Sequence, residues 1–286
     1  MGDDFGTGMK VLLTGGCGLV GRRLTPLLRE RHEVTHFEAK EPGDGLPCIE
    51  GDLRDPELVR EACEGQDVVV HVAGIHGPAW RELGDHALFE INIMGTRNIL
   101  QGAAKAGVRR VIFTSSIHAT GRSPMPAPYL PIDEELPREP LDVYGLSKQV
   151  GEQMCRYAAR VHGMSVICLR PGWICPEDAD LTRQFTKVFY GVDVRDVAQA
   201  HGLAVEAPAE VRCEAILATA ASRLCGVAPE QYFSDPGGTL EGLYPGIRAL
   251  LDEGTLKLPG QQEWHSIEKA RRLLGYEPRH NFELAQ

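Results

Sequence analysis

A run of glycines falls where a short apolar segment gives way to a helix-length one, and this junction constrains the chain more than any other feature. Val11-Leu12-Leu13 leads into Thr14-Gly15-Gly16-Cys17-Gly18-Leu19-Val20-Gly21, in which Gly15, Gly18 and Gly21 stand three apart. Between a buried strand and a helix, the first glycine permits a tight turn. The second lets backbone approach a ligand, and the third lets helix lie close on strand. The N–H groups opening such a helix lack intrahelical acceptors and favour an anion. The spacing therefore predicts a phosphate cradle at Gly15, Cys17, Gly18, Leu19, Val20 and Gly21.

The same rhythm continues downstream. Apolar runs at 33–38, 68–72, 110–115 and 165–170 alternate with helical segments at 18–31 (holding Pro26 as a candidate kink), 85–106 and 143–162. Continuous Val/Ile/Leu runs, not alternating ones, mark parallel strands buried on both faces. Strands separated by helices imply right-handed crossovers, so the expected class is α/β with a doubly wound parallel sheet. After Arg170-Pro171 the pattern predicts an irregular stretch over 172–191, then a helix over 194–205 with Asp193 and Asp196 as N-terminal capping residues. A strand at 211–217 follows, and the Pro/Gly-rich tail ends in a short helix between Ser266 as N-cap and Gly275 as stop.

Composition narrows the function. Of 286 residues, 43% are hydrophobic, enough for a large core, and 40 acidic against 30 basic side chains give a net charge of -10. No basic stripe exists to neutralise phosphates, so nucleic acid is excluded as a partner. No apolar stretch has the length of a membrane span. The eight cysteines are scattered without a C-x-x-C pair, which argues against a disulfide framework and a zinc site and for reduced thiols in the cytoplasm. The acidic, glycine-rich leader over 1–8 is expected to be a tail, not a signal peptide.

Two acids lie where an adenosine would bind. Glu38 ends the second strand about twenty residues past the turn, placed for ribose hydroxyls or else a surface charge. A carboxylate there repels a 2′-phosphate and favours NAD, while Lys40, two residues on, leaves NADP open. Asp52 either accepts from an adenine amino group with Leu53 against the ring, or caps a turn.

Tyr144 and Lys148 stand four apart, on one helix face. Oxidising an alcohol requires a base for its proton, and a phenol of ordinary pKa near ~10 serves only when cations lower that value. Lys148 and a positively charged nicotinamide are expected to do so. Thr114-Ser115-Ser116 closes a strand at the carboxyl edge of the sheet, where such folds bind ligands, and Ser116 can hold the substrate oxygen beside Tyr144.

Taken together with His71-Val72-Ala73-Gly74, Asn92-Ile93-Met94-Gly95-Thr96-Arg97-Asn98, Arg170-Pro171, Val192-Asp193-Val194-Arg195-Asp196-Val197-Ala198 and the tail from Glu268 to Pro278, these motifs resemble the extended short-chain dehydrogenase/reductases, the NAD-dependent epimerase/dehydratase group. The resemblance implies a Rossmann-type NAD-binding core at 9–171 with 192–219, and a small substrate-binding lobe from 172–191 and 220–286. It implies Tyr144 as base, Lys148 as a cofactor-positioning residue and Ser116 as orienter of substrate. His71, Ala73, Gly74 and Pro171 would border the cofactor, and Asn92 would brace the neighbouring strand and helix. A homodimer formed through 85–106 and 143–162 is also implied.

Nucleotide-sugar enzymes of this group usually carry a long insertion after the Arg-Pro strand end, and here only twenty-one residues separate Pro171 from Asp193. This compact form is similar to uronate dehydrogenases. Ser115-Ser116-Ile117-His118 resembles their Ser-Ser-Asn-His stretch, with Ile117 in place of the asparagine. Pro176-Glu177 followed by Arg183 resembles their carboxylate-binding segment, in which a guanidinium fork suits a sugar acid. His76, His118 and Trp173 are further substrate-side candidates, each with a structural alternative: His118 as a fixed ring rather than a proton shuttle, Trp173 as core rather than pocket wall. The expected activity is NAD-dependent oxidation of a small sugar or sugar acid. A nucleotide-sugar 4-epimerase that retains its NAD, and a non-catalytic cofactor sensor, stay open beside it. A mobile loop at Pro124–Pro128 is expected near the site.

Overall fold

A computed structural model of the chain describes residues 6–120, 129–137 and 139–284; the Pro124–Pro128 loop and the start of the leader lie outside them. Lys10–Thr14 (β1), Glu33–Glu38 (β2), Cys48–Glu50 (β3), Val68–His71 (β4), Arg110–Thr114 (β5), Ser165–Pro171 (β6) and, after a short separate pair, Cys213–Ala218 form one seven-stranded sheet. That pair is Trp173–Cys175 (β7) with Gly191–Asp193 (β8), which makes Cys213–Ala218 the ninth strand, β9. The large sheet runs β3-β2-β1-β4-β5-β6-β9 and every pairing is parallel. The order reverses beside β1, and the crevice at the carboxyl ends of β1 and β4 is where such sheets take ligands.

Helices cover both faces, as the unbroken apolar runs require. Leu19–Arg29 (α1) is followed by Pro56–Cys63 (α2), which Asp55 caps through the N–H groups of Glu57 and Leu58. Gly77–Leu88 (α3) bends at Gly84 and passes into Gly95–Ala106 (α4); Val143–His162 (α5) ends at Gly163 in the left-handed region. Leu181–Phe185 (α6) and Val194–Val205 (α7) come next. The tail holds Pro229–Ser234 (α8), Pro236–Leu243 (α9), Ile247–Asp252 (α10) and Glu268–Leu274 (α11). Leu24, Leu28, Ala198, Ala204 and Leu274 bury one face of the sheet, and Val59, Ile99, Ala103, Cys155 and Ala158 the other. A further core of Phe185, Phe189, Tyr232, Tyr244, Trp264 and Phe282 joins the end of α6 to the tail.

Four expectations change. The stretch 172–191 is not irregular: β7, α6 and β8 fold within it, anchored by buried Cys175, Phe185 and Phe189. Of the two aspartates expected to cap α7, only Asp193 does, through the Arg195 N–H; Asp196 instead accepts the N–H groups of Arg279 and His280, both at 2.9 Å, tying down the tail. The last helix starts later than expected, with Ile267 at the N-cap and the Ser266 hydroxyl accepting from Glu268 N–H at 3.3 Å. The strand expected at 211–217 begins at Cys213, since Val211 is held in a turn from Pro208.

Candidate active site

The glycine turn adopts the cradle geometry that its spacing requires. Gly15 has φ +82°, and a Cβ there would lie 2.6 Å from the Ala73 nitrogen. At Gly21 a Cβ would stand 2.1 Å from the Gly15 carbonyl oxygen, so only glycine lets α1 come this close to the turn. Gly18 is the N-cap of α1 and supplies no side-chain acceptor, leaving the first N–H groups of the helix for an anion. Gly18 and Leu19 are exposed, while Val20 and Gly21 are buried. These features fit a dinucleotide pyrophosphate.

Glu38 reaches the turn: its Oε1 accepts the Cys17 N–H at 3.1 Å, and burial pushes its carboxyl pKa up. Asp52 is occupied by its neighbour, accepting the Arg54 N–H at 2.9 Å and a forked pair from the guanidinium, which holds its pKa down. The turn-capping alternative matches these contacts. Leu53 is buried against Gly95.

His71 is 1% exposed, with Nδ1 2.8 Å from the Thr14 hydroxyl and Nε2 3.1 Å from that of Thr96. Its ring ties β1 to α4. Burial drives this imidazole pKa down to about 3, so it is neutral. Between α3 and α4, residues Phe89–Met94 form a π-helical turn, a device that often marks a functional site. It carries Asn92, whose Oδ1 accepts the Ile75 N–H at 2.8 Å and whose Nδ2 donates to the Ile75 carbonyl and the Ser147 hydroxyl. These bonds tie the loop after β4 to α5. A Cβ on Gly74 would lie 3.1 Å from Asn92 Oδ1 and 3.6 Å from Lys148 Nζ, so the loop after β4 meets α5 here.

Asp142 caps α5 through the Gly145 N–H at 2.6 Å, fixing the turn that carries Tyr144. Ser116 lies beside the Tyr144 phenol and acts to lower its pKa, and Lys148 Nζ donates to the Thr114 carbonyl at 2.8 Å, 5.7 Å from the Tyr144 ring centre. The expected acidification of Tyr144 is not present in the protein alone. Burial pushes the phenol up to about 12 against the lowering effect of Ser116, and Asp142 adds to the rise. Burial also pulls Lys148 down to about 8. Desolvation of the buried phenol outweighs the lowering by Ser116.

His76 and His118 flank Tyr144, their ring centres 5.9 and 5.8 Å from its own; His118 pairs with Asp142 at 3.5 Å. Ser116, Tyr144, Lys148, His76 and His118 thus converge. Trp173 and Arg183 do not join them through any side-chain contact among the described residues. Trp173 is 52% exposed and stacks on Tyr190, and exposed Arg183 makes no ion pair among those residues. Pro171 is buried at the end of β6.

Sequence reasoning passed over three residues that hold the site. Glu152, Arg170 and Ser147 are buried beneath it or bonded to it, and Glu152 was signalled by its place four residues beyond Lys148 on the same helix face.

The family model for the NAD dependent epimerase/dehydratase family matches residues 11–189, well over half of the chain. The chain belongs to this family. Its cofactor is NAD, and the protein is an enzyme of the extended short-chain dehydrogenase/reductase type. Among curated relatives, an L-arabinose 1-dehydrogenase (NAD(P)(+)) from Haloferax volcanii is 34% identical over 180 residues, covering 59% of this chain and 68% of that protein. A uronate dehydrogenase from Pseudomonas syringae pv. tomato is 31% identical over 202 residues, covering 65% of this chain and 71% of that one. A solved short-chain dehydrogenase/reductase superfamily protein from Agrobacterium tumefaciens, with bound NAD, superposes with a TM-score of 0.70 at 23% identity, covering 94% of this chain and 92% of its own. That likeness extends the shared fold through the tail. No helix among the described residues is long and apolar enough to cross a membrane.

Proposed function

We propose that this family member is an NAD-dependent dehydrogenase of a small free sugar or sugar acid. The observation that carries the reading is the hydroxyl pair of Tyr144 and Ser116 above Lys148. Ser116 holds the substrate oxygen, and Tyr144 takes its proton. NAD, when bound, supplies the hydride acceptor and a positive charge beside the phenol. The Lys148 ammonium provides the other positive charge and reaches the ribose end of the cofactor crevice beside Gly74 and Asn92. Gly15, Gly18 and Gly21 with the opening of α1 hold the pyrophosphate, and Glu38 holds the adenosine ribose.

Substrate size is argued from the segment between Pro171 and Asp193. It is consumed by β7, α6 and β8, and Glu177 fastens it to Arg23 of α1 and to Arg195. Such a segment offers no long insertion to grip a nucleotide diphosphate. Sugar dehydrogenases among the relatives favour the same reading. We assign 172–191 and 220–286 to the substrate side, with His76, His118, Trp173 and Arg183 as its candidate contacts. Exposed Phe89 and Met94 before α4, and Leu146, Tyr157 and Val161 on α5, support a homodimer formed through these helices, checked by sedimentation.

Free aldoses, hexuronates and UDP-sugars are each mixed with enzyme and NAD, and nicotinamide absorbance is followed. Reduction with an aldose or hexuronate, abolished by Tyr144→Phe, is the expected result. Reaction with UDP-sugars alone, or epimerised product with no net reduction, overturns the reading.

A further inference from the structure

Three successive residues at the end of β5 meet three residues of α5 spaced four apart. Ser116 lies beside Tyr144, the Thr114 carbonyl receives the Lys148 ammonium, and the Ser115 hydroxyl donates to Glu152 Oε1 at 2.7 Å. Residues 144, 148 and 152 share one helix face. The first two contacts involve residues already given chemical work. The third involves residues with none, yet it is the most deeply buried: Ser115 and Glu152 are each 1% exposed.

Arg170 of β6 closes the third contact. Its Nε donates to Glu152 Oε1 at 2.7 Å and its Nη2 to Oε2 at 2.8 Å, in the forked geometry that fixes both partners in orientation as well as distance. Arg170 is 0% exposed, and its Nη1 has no hydrogen-bond partner among the described residues. A buried ion pair with an unsatisfied nitrogen is a poor device for stability, since well-packed apolar side chains of the same volume do as well. It is a good device for register. An apolar contact tolerates sliding of α5 along β5, whereas a carboxylate held by a hydroxyl from β5 and a fork from β6 does not.

We propose that Ser115, Glu152 and Arg170 form a positioning triad that fixes α5 against the carboxyl ends of β5 and β6, and thereby sets the alignment of the Tyr144 and Ser116 hydroxyls for reaction. None of the three touches the reacting atoms. They act through Ser116, the chain neighbour of Ser115, and through Tyr144 and Lys148, two turns and one turn before Glu152 on the helix. Displacement of a reacting group by about 1 Å costs on the order of a hundredfold in rate, so a loose third contact is felt in turnover before it is felt in ground-state binding.

The inference rests on Tyr144 as the base, and the test separates the two claims. Ser115→Ala deletes the hydroxyl and leaves the ion pair; Ser115→Thr restores a hydroxyl; Glu152→Gln keeps the shape and removes the charge. Each is compared with wild type and Tyr144→Phe using the sugar that gives the highest turnover. We expect Ser115→Ala and Glu152→Gln to lower kcat at least tenfold with KM for NAD within twofold of wild type, and Ser115→Thr to recover most of the loss. The phenolate absorbance of Tyr144, titrated without substrate as the difference from Tyr144→Phe, shifts its midpoint in Ser115→Ala. If Tyr144→Phe retains turnover, the base assignment fails. If Tyr144→Phe is inactive while folded Ser115→Ala keeps wild-type kcat and phenolate midpoint, the triad is structural only and the proposal is overturned. Should Glu152→Gln not fold, the Ser115 variants decide alone.

Discussion

Glu38 accepts the Cys17 backbone N–H at 3.1 Å, so the carboxylate that ends β2 is anchored to the glycine turn that follows β1. In the proposed reading, an acid fixed there meets the ribose of a bound adenosine and repels a 2′-phosphate. Replacing it by Ser keeps a hydroxyl for the ribose and removes the repulsion, and Lys40 stands nearby to attract the phosphate. Glu38→Ser is expected to shift the kcat/KM ratio of NAD over NADP toward NADP by about tenfold, roughly 1.4 kcal/mol. Steady-state kinetics with both cofactors checks this, and an unchanged ratio counts against the ribose assignment.

Gly18 and Gly21 of the turn predict different failures. A Cβ at Gly21 collides with backbone at 2.1 Å, which no side chain can relieve. Gly21→Ala should therefore lose about 1–3 kcal/mol of stability as well as cofactor affinity. Gly18 has φ -76°, and a Cβ there meets only the Gly15 carbonyl oxygen, at 3.2 Å. Gly18→Ala should leave the cofactor-free protein within about 1 kcal/mol of wild type, yet stand in the path of a pyrophosphate. Thermal denaturation with and without NAD separates them: Gly18→Ala keeps its basal Tm and loses most of the NAD-induced rise.

The sheet and the glycine turn were legible because local sequence dictates them. Apolar runs of Val, Ile and Leu set β1, β4, β5 and β6, and glycine spacing set the turn. The Tyr144 and Lys148 pair was legible from helical period read together with the glycine turn and the Ser115-Ser116 strand end. Less was visible where a residue's partner is distant in sequence. β3 has only three residues and no continuous apolar run, and α2 is a short helix that the same pattern does not announce. Asp196 carries the spacing of a capping residue, but a tail more than eighty residues away claims its carboxylate. The Tyr144 pKa is raised in the protein alone because burial dominates it, and helical spacing reveals that Lys148 is near, not how deeply the phenol is buried.

Asp196 supplies a test of that long-range tie. It is 1% exposed and satisfies two backbone N–H groups of the tail. Alanine strands both donors at a part-buried site, where each costs up to about 1–3 kcal/mol, the range for a fully buried unsatisfied group. Asp196→Ala is expected to lose roughly 2–4 kcal/mol in urea denaturation, and to increase proteolysis between Tyr276 and Leu284 where the tail lies over α7. Asp196→Asn, which keeps one acceptor oxygen, should fall between wild type and Asp196→Ala. Equal stability of all three would show that the tail is held without Asp196, by Tyr276 and Phe282 packing and by the bonds from Lys187 to the His280 carbonyl and from the Ala221 N–H to Asn281.

Lys148 gives the pH prediction, and its sign follows from its direction of shift. Its folded pKa is lowered to about 8, against an unfolded value of about 10.4. The unfolded chain therefore binds more protons between those values, and stability rises with pH across that window. Below pH 8 the buried ammonium is a full destabilising charge; above about 10.4 both states are neutral and the effect is gone. Lys148→Met has no such group. The stability of wild type relative to this variant should thus increase by on the order of 1–3 kcal/mol from pH 7 to pH 10. Tyr144 opposes the trend only above its unfolded value of about 10, because its folded pKa is raised to about 12. Urea denaturation of both proteins at pH 7, 8.5 and 10 reads the difference directly. At pH 7 the variant should turn over at least a hundredfold more slowly with its NAD affinity also reduced, the result expected if the charge that weakens the fold is the one the proposed chemistry uses. A flat difference across the three pH values would mean that Lys148 is solvated and titrates as an ordinary surface lysine.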